Sequence, residues 1–76
     1  MFQVRSINKV FTEDKLPLEL VKGEDYFYFQ YDLPEQNIFE TESVYVAKLN
    51  QLTKDEWIRL GRVFVTEIEH KKGIYR

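Results

Sequence analysis

The side chains able to do chemistry are few in this chain and poorly spaced for it. His70 is the single histidine and there is no cysteine, so a nucleophile activated by a base, itself held by a third group, would have to be built around that one ring. His70 stands beside Lys71 and Lys72 near the end of a helical pattern, where a cation complements the helix dipole, and it reads as a helix-terminal residue. Glu67 and His70 make one E-x-x-H, a motif that di-iron bundles need on two helices together with further glutamates. Glu35, Glu40 and Glu42 crowd into one stretch but lack the dense spacing and central glycine of a calcium loop, so they read as a solvated acidic loop. Gly23, Gly61 and Gly73 lie too far apart to form a phosphate cradle. The sequence therefore points to no catalytic residue, no metal ligand and no cofactor, and to a protein that is not an enzyme.

What could position a functional surface is limited by size. At 76 residues the chain is one domain, residues 1–76, with room for a single core. Such a domain buries only about 60% of its unfolded surface. Without cysteine, apolar packing or self-association has to stabilise it, and an aromatic content of 16% suits that need because each ring removes much area from water. A net charge of −2 argues against a nucleic-acid binder, which needs a basic face. No stretch approaches the roughly 18 consecutive apolar residues of a membrane span, and MFQVRSINKVF is not a signal sequence, so a cytoplasmic protein is expected.

The chain is organised around LELVKGEDYFYFQYD, residues 18–32, which predicts a β-hairpin. Gly23 and Glu24 fit a two-residue turn with glycine at the position that requires positive φ. In that register Lys22 faces Asp25, Val21 faces Tyr26, Leu20 faces Phe27 and Leu18 faces Phe29. One side of the sheet then carries Leu18, Leu20, Phe27 and Phe29, and the other Glu19, Val21, Tyr26 and Tyr28.

The flanking segments follow from their periods. Phe2 and Val4 alternate with Gln3 and Arg5, predicting a short strand, and Ile7, Val10 and Phe11 predict a helix over about 7–14 with Ser6 as N-cap. Residues 32–42 show neither period and read as a loop pinned by Leu33, Ile38 and Phe39. SVYVAKL, residues 43–49, alternates again as a third strand. Thr53 and Glu56 form a capping box that starts a helix at Lys54, its apolar stripe runs from Trp57 to Ile68, and Gly73 ends it. Gly61 lies inside that stripe, at a cost of about 1 kcal/mol relative to alanine. Either a ring from the hairpin, Phe27 or Phe29, packs over it where the helix backbone lies close to the sheet, or the glycine is merely tolerated there.

The fold expected is α+β: a three-stranded antiparallel β-meander, with a fourth strand available from the N-terminus, a short N-terminal helix, and one long C-terminal helix packed on one face. One helix cannot cover both faces. Val21, Tyr26, Tyr28, Tyr45 and Ala47 are then left on the opposite side. Either the N-terminal segment folds over them with Ile7, Val10 and Phe11, or they form an interaction face for a protein partner or a second copy of the chain. Stacking of single-stranded nucleic acid on Tyr26, Tyr28 and Tyr45 is the alternative, opposed by the acidic surroundings.

The segments LELVKGEDYFYF and SVYVAKLNQLTKDEW, covering roughly residues 16–60, resemble those of small uncharacterised proteins of phage and mobile-element origin. The resemblance implies that context and a small α+β fold, and carries no activity or catalytic residue with it. Asp25 stands where glycine is expected.

Overall fold

The computed structural model describes residues 1–74. The chain runs α1 (Val4–Glu13), β1 (Leu18–Lys22), β2 (Phe27–Leu33), a short 3₁₀ turn (Pro34–Gln36), β3 (Ile38–Val44), a second 3₁₀ turn (Leu49–Gln51) and α2 (Lys54–Lys72). The strands form an antiparallel meander in the order β1-β2-β3, so the fold is α+β. No helix among the described residues is long and apolar enough to cross a membrane.

α2 forms where its local signals place it. The Thr53 hydroxyl accepts from the Glu56 amide at 3.1 Å, and Glu56 Oε1 accepts from the Thr53 amide at 2.9 Å. These bonds, the backbone amide first, hold the Glu56 carboxyl below its ordinary value. At the other end Gly73 takes φ 64°, the left-handed conformation that closes helices at least cost in glycine. The buried stripe of Trp57, Gly61, Phe64, Val65 and Ile68 lies against the sheet. Trp57 packs edge-on to Phe27 and Phe29 and donates its indole N–H to the Leu49 carbonyl at 2.8 Å. Its one polar atom is thereby satisfied in the core.

The N-terminal segment departs from expectation. Phe2 and Val4 do not form a strand: the helix begins at Val4, with extended Gln3 as its N-cap, and Ser6 lies inside it. The helical spacing of Ile7 and Phe11 wins because it buries both completely. Leu16 then donates back to Phe11 after Lys15 takes φ 58°, and Pro17 leads into β1.

The ring over Gly61 is that of Phe11, in α1, and not Phe27 or Phe29. A methyl group added at Gly61 would come within 2.5 Å of the Phe11 ring and 3.0 Å of Leu18. The glycine thus lets α1, α2 and β1 meet closely. α1 consequently sits on the same side of the sheet as α2, and the tyrosine face gains no cover from Ile7, Val10 or Phe11.

Two sheet features also differ. The hairpin register is displaced by two residues, with Lys22 opposite Phe27, Val21 opposite Tyr28 and Leu20 opposite Phe29, so the Lys22 and Asp25 pairing does not form. Asp25, at φ 63°, takes the left-handed position assigned to Gly23. Gly23 lies instead under the Tyr26 ring, whose edge stands 2.6 Å from where a methyl group would be, so any side chain there displaces that ring. Strand side chains alternate with period two, so this shift leaves each hairpin residue on its expected face.

The stretch 38–44, expected as part of a loop, is β3, reached through the 3₁₀ turn and Asn37 at φ 56°. Of the strand expected at 43–49 only Ser43 and Val44 belong to a strand. Ile38, Glu40, Glu42 and Val44 face the helix side, opposite Leu33, Tyr31, Phe29 and Phe27. α2 leaves this strand only partly covered, which is why carboxylates stand on its inner side.

Candidate functional site

Candidate chemical groups stay apart. His70 is exposed in the last turn of α2, as is Glu67 one turn earlier. Glu35 lies in the 3₁₀ turn, whereas Glu40 and Glu42 are on β3 and Glu40 pairs with Lys72 at 3.3 Å. Among the described residues no group of three His, Asp or Glu side chains is placed to hold a metal ion.

The outer face of the sheet is a different matter. β2 alternates, with Phe27, Phe29, Tyr31 and Leu33 buried under the helices and Tyr28, Gln30 and Asp32 pointing away. Val21 lies directly opposite Tyr28. The Tyr26 ring is 6.0 Å from Tyr28, tilted by 32°, and 6.1 Å from Tyr45, stacked at 27°. Four of the expected face residues, Val21, Tyr26, Tyr28 and Tyr45, therefore form one patch. Tyr45 is 85% exposed at its end of the sheet and Phe39 60% exposed at the other.

Ala47 is not part of it. The strand ends at Val44, and Ala47 lines a separate hollow with Phe2, Val4 and Phe27. Phe39, expected to pin a loop to the domain, instead lies opposite Asp32 on the outer face, a place that the β3 register alone gives it. Tyr31, in phase with Phe27 and Phe29, belongs to the opposite side from Tyr26 and Tyr28. It is fully buried, and its hydroxyl donates to Glu69 at 3.1 Å.

The register fixes the charge on this face. Glu19 and Asp32 project from it, Glu24 and Asp25 stand at the hairpin tip, and no lysine or arginine of the three strands points that way. Such a surface attracts cations and repels phosphate. Comparison of the chain with protein-family models, curated proteins and solved structures found no match.

Proposed function

We propose that this chain is a small, non-enzymatic protein-binding module of the cytoplasm, acting on a host protein or on a second copy of itself, in the phage or mobile-element setting that its sequence resembles. The observation that carries the reading is the bare outer sheet face, where Tyr26, Tyr28 and Tyr45 pack against one another beside Val21 with both helices on the far side. Tyrosines contribute large contact area with a hydroxyl left for the rim, the composition of interface cores. Glu19, Asp32, Glu24 and Asp25 around them favour a partner presenting lysine or arginine, whose cations would also sit well on the tyrosine rings.

Solution mass across a concentration series tests the self-association form: a dimer that Tyr28→Glu converts to monomer assigns the face. A monomer throughout leaves a foreign protein, to be trapped by a photo-crosslinking side chain at position 28. Oligonucleotide binding that weakens steeply with salt and is lost in Tyr28→Ala would replace this reading with single-strand recognition.

A further inference from the structure

The free edge of β3 offers a second surface. Asn8 bonds both the amide and the carbonyl of Leu20, so Leu20 turns its backbone away from β2. Alternation in an antiparallel ladder then directs the backbone of Phe29 at Glu42 and leaves the amides and carbonyls of Phe39, Thr41 and Ser43 pointing outward. Nothing among the described residues bonds to them. Beside this edge, between β3 and α2, runs a groove of about 400 Å³ with an apolar floor of Phe29, Val44, Leu60, Val63 and Phe64. Val63 remains 46% exposed. Glu42 and Glu67 line the same groove, and neither has an ion-pair partner among the described residues.

We propose that β3 accepts an extended, basic segment of a partner protein as a fourth strand. The outward backbone groups would bond the incoming strand, its alternate side chains would enter the groove, and lysine or arginine among them would meet Glu42 and Glu67. Side chains on the other face would cover the flanks of Phe39 and Tyr45. The carboxylates also select the occupant. Pairing two copies of β3 about Thr41 sets Glu40 of one against Glu42 of the other, which like charges oppose. This site meets the tyrosine face only at Tyr45, which lines the end of the groove, and needs neither Tyr26 nor Tyr28.

The probe is a short acetylated peptide alternating lysine with valine, titrated into isotope-labelled protein. Expected are perturbed, exchange-protected amides at Phe39, Thr41 and Ser43, and affinity that falls with salt. Thr41→Pro removes an outward donor at a position where an edge strand accommodates proline, and should weaken binding about tenfold. Glu42→Lys combined with Glu67→Lys should weaken it at least as much, with the helical amide signals of both variants unchanged. Tyr28→Ala should bind as the parent does. The proposal is overturned by any of these: no change at β3 up to millimolar peptide, equal binding of a peptide with glutamate in place of lysine, full affinity in both edge and charge variants, or loss of binding in Tyr28→Ala. A peptide-free dimer that Thr41→Pro dissolves would give the edge to a second copy and likewise overturn it.

Discussion

The two edges of this sheet are treated in opposite ways. On β1 the Asn8 carboxamide imitates a neighbouring strand, giving a donor and an acceptor to Leu20 at 3.0 and 2.6 Å, and α1 lies along the edge. On β3 the outward backbone of Phe39, Thr41 and Ser43 has no such cover among the described residues, and what guards it is the charge of Glu42 and of Glu40, the latter paired with Lys72. A sheet can be sealed by occupying its backbone bonds or by making a wrong partner repulsive. The first excludes every strand, whereas the second excludes only some.

Breaking the sealed edge should have the largest effect. Asn8→Leu strips Leu20 of both bonds where α1 keeps water scarce, and should lower the unfolding free energy by about 2–3 kcal/mol in urea titration and promote association. An unchanged midpoint would mean that water seals the edge equally well. Gly61→Ala acts on the same edge through Phe11. Overpacking costs about 1–3 kcal/mol against a gain of about 1 kcal/mol in helix propensity, so the melting temperature should fall. A rise would show that Phe11 moves aside freely.

Thr53→Ala, which loosens the helix behind the whole sheet, should cost about 1 kcal/mol. The Glu56 carboxyl titrates lower in the folded chain than its ordinary value of 4.5, so its contribution is present above that pH and is lost as pH falls through the folded value. Glu56→Gln should accordingly flatten the acid limb of a stability-versus-pH curve. The smallest effect belongs to the open edge: Thr41→Lys should change stability by less than about 0.5 kcal/mol by thermal melting.

How much could be foreseen depended on whether the determining interactions were local. The start and end of α2 are fixed by neighbours in sequence, Thr53 with Glu56 and the backbone at Gly73, and both were legible. β3 was not, because Glu40 and Glu42 occupy inner positions that α2 leaves partly open, which erases the apolar alternation of a covered strand. The left-handed Asn37 after Pro34 was the remaining local clue to the turn. Phe11 over Gly61 is a contact between helices distant in sequence, and the glycine could announce a close approach without naming the approaching ring. Val21, Tyr26, Tyr28 and Tyr45 of the tyrosine patch were legible from alternation, whereas Phe39 and the exclusion of Ala47 depended on where β3 runs, and the bareness of the patch on where α1 went.

The Tyr26 ring over Gly23 bears on how this chain chooses among its own alternatives. Two hairpin alignments, separated by two residues, place Leu18, Leu20, Phe27 and Phe29 on one side and Val21, Tyr26 and Tyr28 on the other, so the hydrophobic pattern does not discriminate between them. The choice falls to the turn, where Gly23 leaves room for Tyr26 and Asp25 accepts the left-handed backbone. Gly23 suits either alignment, through positive φ in one and through room for Tyr26 in the other, so the degeneracy is broken at Asp25, and a β-branched residue in its place would set two well-patterned alignments of one hairpin in competition.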